Sequence, residues 1–442
     1  MGILHKRFYN LLVVTLPLAA MLATSACGND TSEPSSSVEP TQVTIPGRGG
    51  SHGPGVTETD IRLGMTNDLE ATGDTPYSVI TTAIQAYFRK VSQEDGGVCD
   101  RGVVLLAEDD GYTPDGALQK TKKLVEQDKV LAMIGALGTA VHTPAAAYLN
   151  DPNNDGNTSD GVPDLFVSTG WSGWGDVAKY PWTVGYIPDY VTDARVLTGY
   201  TNVNLKDKKV AILHQDDELG NDYLRGLQET IANQDLLVFT QAADPSPDAL
   251  KEQVLAIRDA GAEAVMLALP PEISAEVFQI ANADGYAPKW LLSYVNSPSA
   301  LAREIGGGTL AEQLLKGFDE LHGSVSTAYL LSAIDDAESP PMLEHRRIME
   351  TYAGPVVSTL SIYGQSLAET VIETLARACD SITRETVLRA AESLQEFRST
   401  LMLEGIGVTL GAQDHEAIGS LQLVEIQADG TLKELGDPVS VE

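Results

Sequence analysis

Residues 130–140 read Val-Leu-Ala-Met-Ile-Gly-Ala-Leu-Gly-Thr-Ala. The run 130–135 is apolar without alternation, the pattern of a short strand covered on both faces in a parallel sheet. Glycine punctuates the next stretch, GALGTA at 135–140, which leads into a helix expected at 143–149. Upstream of this unit, strands are expected at 60–65 and 102–108 and helices at 77–91 and 115–127, with a further strand downstream at 164–169. The same rhythm restarts with strands at 209–214, 236–240, 264–268 and 289–293, separated by helices at 223–233, 248–260 and 274–284. Two successive runs of βα units predict an α/β fold of two doubly wound, Rossmann-like lobes with a cleft between them.

The chain has 442 residues, enough for two or three domains, and 43% of them are hydrophobic, as in a globular protein. It carries 62 acidic side chains against 29 basic ones, a formal charge of −33. That balance excludes nucleic acid and anionic lipid surfaces as partners, because neutralising phosphates takes clustered Lys and Arg. No apolar run is long enough to cross a bilayer and remain there.

The first 26 residues read as a signal peptide: a basic head at His5, Lys6 and Arg7, an apolar stretch at 11–23, and small residues Thr24, Ser25 and Ala26. Cys27 follows at once, and this arrangement resembles the bacterial lipobox, which implies lipidation of Cys27 and anchoring outside the cytoplasm. Thr24 stands where that motif usually has Leu. Residues 27–57, rich in Ser, Thr, Pro and Gly, are expected to be a flexible tether.

Two cysteines then remain, Cys99 and Cys379, which in an oxidising compartment either pair or stay as separate thiols. The histidines are scattered without metal-ligand spacing, and no cofactor is expected. One polar insertion imitates a calcium loop, with Asp151, Asn153, Asp155 and Gly156 at the first, third, fifth and sixth positions. Val162 stands at the twelfth, so a solvated turn is the expected reading and no metal is assigned.

The segments VTETDIRLGMTNDL, DDGYTPDGALQKTKKLVEQDKVLAMIGALGT, LFVSTGWSGWGD, KYPWTVGYIPDY, KKVAILHQDDELGNDYLRGL and SIYGQSLAETVIETL resemble the periplasmic binding proteins of branched-chain amino acid and amide ABC transporters. The resemblance runs from 56 to 435, in order and at the right spacing. It implies two lobes joined by three crossovers, the first at 58–188 plus 325–415 and the second at 189–324 plus 416–442. It also implies a solute held where the carboxyl ends of the strands face the cleft, as in open α/β sheets generally.

Residue by residue, the loop with Gly138, Thr139 and Ala140 matches the one that holds a carboxylate, through free N–H groups at a helix start and the Thr139 hydroxyl. The loop with Trp171 and Ser172 matches a second contact loop, offering an aromatic wall and a hydroxyl. In the second lobe, Tyr190, Leu219, Tyr294 and Asn296 are the expected contacts. Leu219 replaces the aromatic residue usual before Gly220, and the loop Ser293-Tyr-Val-Asn296 lacks the carboxylate that pairs an α-ammonium in amino-acid binders. An unpaired buried ammonium is costly, so this favours an amide, a small carboxylate or another partly apolar solute over an amino acid. GWSGW at 170–174 is not the G-x-S-x-G elbow of serine hydrolases, because Trp174 replaces the closing glycine. The expectation is a non-catalytic lipoprotein that captures a small solute by lobe closure and delivers it to ABC permease and ATPase subunits. A sensory module of the same fold, signalling to a membrane partner, is the alternative.

Overall fold

The computed structural model describes residues 52–70, 77–306 and 310–440. The expected signal peptide, the lipid site Cys27 and most of the tether lie outside them. Two parallel-based sheets form the frame. The first contains β1 (Asp60–Asn67), β2 (Gly102–Asp109), β3 (Met133–Ile134), β4 (Asp164–Val167) and β5 (Thr183–Gly185), in the order β2-β1-β3-β4-β5. The second contains β6 (Val210–His214), β7 (Leu237–Ala242), β8 (Ala264–Ala268), β9 (Lys289–Leu292), β10 (Val325–Ala328), β11 (Ser420–Ile426) and β12 (Leu432–Glu434). Its order is β12-β11-β10-β9-β8-β6-β7, and β13 (Val439–Ser440) pairs with β11. The strands up to β10 pair parallel, whereas β11 to β13 add antiparallel.

The helices are the crossovers that parallel pairing demands. On the first sheet lie α1 (Ser78–Glu94), α2 (Pro114–Lys122) and α3 (Thr139–Asn150). The second sheet is served by α4 (Tyr190–Asn204), α5 (Glu218–Thr230), α6 (Pro247–Asp259), α7 (Pro271–Ala283), α8 (Pro298–Gly306) and α9 (Leu310–Leu321). The chain then returns with α10 (Pro340–Tyr352), α11 (Thr359–Arg377) and α12 (Arg384–Glu392), of which α10 and α11 pack against α1. In α1, Ile80, Ile84, Phe88 and Val91 are all buried, one helical face of an amphipathic segment laid on a sheet whose Ile61, Leu63 and Met65 are fully buried. Burying a residue of this size contributes about 1.5–3 kcal/mol, which fixes the helix on the sheet.

Several boundaries differ from the sequence expectation, each for a local reason. The expected lobe boundary at 324/325 precedes β10, yet Val325 and Ser326 pair with Leu291 and Leu292 of β9. Strand β10 thus belongs to the second sheet. Residues 52–57, expected to be tether, are docked: the Gly53 N–H donates to the Ile382 carbonyl and Arg62 N–H to the Gly55 carbonyl, each at 2.8 Å. Gly55 has φ +76°, and a Cβ there would lie 2.3 Å from the Leu131 nitrogen, so only glycine fits. Helix α5 starts earlier than expected because Asp217 caps it, accepting from the Leu219 and Gly220 N–H groups. Helix α3 starts at Thr139 and carries Pro144 inside it, whereas proline more often marks a first turn.

Cys99 and Cys379 form a disulfide with their Cα atoms 5.2 Å apart, joining the entry to β2 with the end of α11. In the calcium-like insertion the carboxylates turn inward: Asp151 accepts from the Asp155 and Gly156 N–H groups, and Asp155 from that of Asn157. Asn153 donates to Asp160. Among the described residues, no group of three His, Cys, Asp or Glu side chains could hold a metal ion. Among the same residues, no helix is long and apolar enough to cross a membrane.

Candidate functional site

The carboxyl ends of both sheets face one cavity of about 820 Å³. From the first sheet, the β3–α3 turn contributes Gly138, Thr139 and Ala140, as expected from the sequence. Gly138 has φ +86° and occupies the cap position of α3 without offering a side-chain acceptor. The first-turn N–H groups of α3 thus point out of the helix with no intrahelical partner, a preformed place for an anion. Tyr112, from the turn after β2, lies over this point: a Cβ on Gly138 would sit 3.0 Å from its hydroxyl. The Thr139 and Thr169 hydroxyls bond each other at 2.5 Å. Burial pushes the Tyr190 phenol up, opposed by hydrogen bonds from the Gly170 N–H and the Thr169 and Thr139 hydroxyls. Thr139, Thr169 and Tyr190 therefore form one hydroxyl cluster beside the helix start.

Tyr190 and Tyr294 line the opposite wall, their rings 6.2 Å apart and nearly parallel. The Tyr294 hydroxyl donates to the Pro188 carbonyl across the crossover, and its N–H donates to Asp193 at 3.2 Å. Asp193 is wholly buried and also accepts from the Tyr223 and Thr327 hydroxyls, so it ties α4, α5, β10 and the loop after β9 together. Its removal from water pushes its carboxyl up to about 6, against the pull of those donors. Leu219 completes the set of expected residues that reach the cavity.

Three expected contacts do not line it. Trp171 packs against Trp174 and Tyr180, with ring centroids 4.9 and 5.9 Å away, and Lys179 Nζ sits 5.7 Å over its ring. Ser172 is held by Asp222 of α5 and Arg225, at 2.8–3.0 Å and 2.7 Å, forming a bridge between the lobes. Asn296 is fully buried, its amide donating to the Leu269 carbonyl at 3.0 Å and, more weakly, to that of Leu267. It shapes the loop after β9 from behind.

Conversely, the cavity receives residues that pattern reading missed. Tyr77 and Tyr112 stack at 6.0 Å with planes 10° apart, one just before α1 and the other in the turn after β2. Asp217 and the exposed Asp216 and Glu272 bring carboxylates to the second-lobe wall, although the loop after β9 has none. Burial pushes the Tyr77 hydroxyl up to about 12, with Glu272, Tyr190 and Asp68 adding to it. The loop after β9 lacks a carboxylate, as the sequence reads, but carboxylates reach the second-lobe wall from the turn after β6 and the first turn of α7. Only the strand-end position of Tyr112 hinted at such a role; nothing local in the sequence singles out Glu272.

A model of the family described as periplasmic binding protein matches residues 60–431. No curated protein sequence matches the chain. Solved structures do. A branched-chain amino acid ABC transporter protein from Thermus thermophilus with bound valine superposes with a TM-score of 0.72 at 16% identity, covering 87% of this chain and 97% of that one. A fatty acid ABC transporter substrate-binding protein from Thermomonospora curvata gives 0.67 at 21% identity, covering 89% and 95%. A solute-binding protein of an ABC transporter from Rhodopseudomonas palustris BisB5, in complex with 3,4-dihydroxybenzoic acid, gives 0.67 at 16%, covering 86% and 97%. At these identities the likeness is one of fold.

Proposed function

Because the chain belongs to the periplasmic binding protein family, matched over residues 60–431, we propose that it is the extracytoplasmic solute-binding subunit of an ABC importer, held at the membrane by lipid on Cys27. One observation carries this reading: the cavity of about 820 Å³ between the strand ends of two parallel sheets, with the open start of α3 facing into it. The solute's carboxylate lies against the N–H groups of the first turn of α3 and the Thr139 hydroxyl. Tyr190, Tyr294 and Leu219 close over its body from the second lobe. Capture proceeds by rotation of the lobes about the three crossover passages, with no covalent chemistry.

Valine and 3,4-dihydroxybenzoic acid, bound by two of the solved relatives, both carry a carboxylate, which supports an anion site at this helix start. Micromolar capture corresponds to about −8 kcal/mol, within reach of a few hydrogen bonds and an aromatic wall in a desolvated cleft. A thermal-shift screen of amino acids, amides and carboxylates tests the reading, since a solute that binds only the folded chain raises the melting temperature saturably. Absence of a shift across all classes contradicts it. For the anchor, Cys27→Ser is expected to release the protein from the membrane fraction; an unchanged distribution contradicts lipidation.

A further inference from the structure

The cavity is larger and longer than a free amino acid needs. Its second-lobe wall is drawn from Ala243 after β7, Leu219 after β6, Leu269 after β8, Tyr294 after β9 and Leu330 after β10. It then continues to Val424 of β11 and Leu432 of β12. Neighbouring strands lie about 4.8 Å apart, so a wall that crosses seven of them extends on the order of 25 Å. Its far end is apolar, made by Phe318, Leu330, Ile334, Val424 and Leu432. Gly430 closes that end tightly: with φ +85°, a Cβ there would lie 2.5 Å from the Phe318 ring and 2.8 Å from Ile334.

A second observation concerns exposure. Seven large hydrophobic residues are exposed among the described residues, and three of them, Tyr112, Ile334 and Val356, line this cavity, 45%, 40% and 47% exposed. Apolar surface concentrated in a concavity marks a place that an apolar ligand covers. The charged lining groups are engaged or face solvent. Asp217 accepts from two N–H groups and the Gln215 amide, Asp216 and Glu272 are exposed, and Arg303 has partners of its own.

We propose that the solute is an elongated amphiphile, a monocarboxylate whose head lies at the start of α3 and whose unbranched apolar chain runs toward Phe318 and Leu432. This rests on the solute-binding reading above and names its substrate class. A second carboxylate would be buried at the apolar far end, so dicarboxylates of equal length bind more weakly.

The test is titration of the intact chain with straight-chain saturated monocarboxylates from butanoate to hexadecanoate, below their aggregation concentrations. Affinity is expected to rise roughly fourfold per methylene until the chain fills the arm, and then to level off. In Ile334→Trp, which fills the arm from an exposed position, the levelling is expected at shorter chains than in the wild type. Tight binding of leucine or benzoate with no dependence on chain length would overturn the amphiphile and leave solute binding standing. Rising affinity with no levelling, equal in the variant, would mean surface adsorption and also overturn it. Binding of no solute class at all defeats the underlying reading instead. If Ile334→Trp fails to fold, the wild-type series still decides, through the presence or absence of the plateau.

Discussion

The Asp222 carboxylate of α5 accepts the backbone N–H of Ser172 at 2.8 Å and its hydroxyl at 3.0 Å, joining a second-lobe helix to a first-lobe loop. Arg225 donates to both partners, at 2.7 and 3.0 Å, and completes a charge-assisted bridge. Burial raises the carboxyl of Asp222, with the Ser172 N–H and Arg225 pulling the other way, so the group is held by its partners rather than by solvent. Such bonds are worth about 1.5–3 kcal/mol each when a charged group takes part. Asp222→Ala is therefore expected to weaken solute binding about tenfold by opening the lobes, with a larger radius of gyration in solution scattering. Unchanged affinity and scattering would show that the bridge plays no part in closure.

Trp171 provides the complementary case. Its partners are Trp174, Tyr180 and Lys179, none of them across the cavity, and Gly173 is small because a Cβ there would strike the Trp171 ring at 2.4 Å. Trp171→Ala should lower stability by about 1–3 kcal/mol while leaving solute affinity within about twofold. A calorimetric loss of affinity with an unchanged melting temperature would return this residue to the binding wall.

How much of this was readable beforehand depends on how local each signal is. Strand β8 falls at the expected residues 264–268 because the unbroken apolar run 264–269, bounded by Glu263 and Pro270, leaves little choice. The Gly138-Thr139 turn was legible for the same reason: strand, turn and helix start are contiguous in the chain. Trp171 lies off the cavity lining, which a loop sequence cannot show because it does not say which way it faces; here its ring partners, Trp174 and Tyr180, lie within the same loop. Tyr77, Asp217 and Glu272 meet at the cavity from segments far apart in sequence, and only the sheet order brings them together. Asp193 looks like any polar residue of a helix; its role comes from three donors on three other segments.

Thr139→Val keeps the β-branched shape at the α3 start and removes the hydroxyl bonded to Thr169. Solute affinity is expected to fall about tenfold, the scale of one hydrogen bond to a charged group. Thr169 retains Tyr190 beside it, so the change in melting temperature should be small. Isothermal calorimetry with a monocarboxylate checks this; equal affinity in both proteins would remove Thr139 from the head site.

The Cys99–Cys379 bond closes a separation of 280 residues, and in the loop-entropy description a closure of that length stabilises the fold by up to about 5–6 kcal/mol. Both cysteines lie outside the cavity lining, so stability and binding should separate. Reduction, or Cys99→Ser with Cys379→Ser, is expected to lower the melting temperature by several degrees and to leave the affinity of the remaining folded protein unchanged. Identical melting curves with and without reductant would show that the bond does not form in solution.

Asp193 links the site to pH. Its folded carboxyl titrates at about 6, raised above its ordinary 3.8 chiefly by burial, so between those values the folded chain holds a proton that the unfolded chain has released. Stability from this group is therefore present at low pH and declines as pH rises from about 4 through about 6, by up to about 3 kcal/mol. Asp193→Asn cannot titrate and should lack this decline. At pH 4 it should be less stable than the wild type by about 1–3 kcal/mol, because the amide has one acceptor oxygen for the donors from Tyr223, Thr327 and Tyr294, and that deficit should shrink as pH rises through about 6. The comparison is made as the difference between the two proteins' denaturation free energies across pH 4 to 8, in which the other titrating groups cancel. A difference that stays constant over that range would mean that Asp193 keeps one protonation state throughout, and that the donors around it outweigh the cost of its burial.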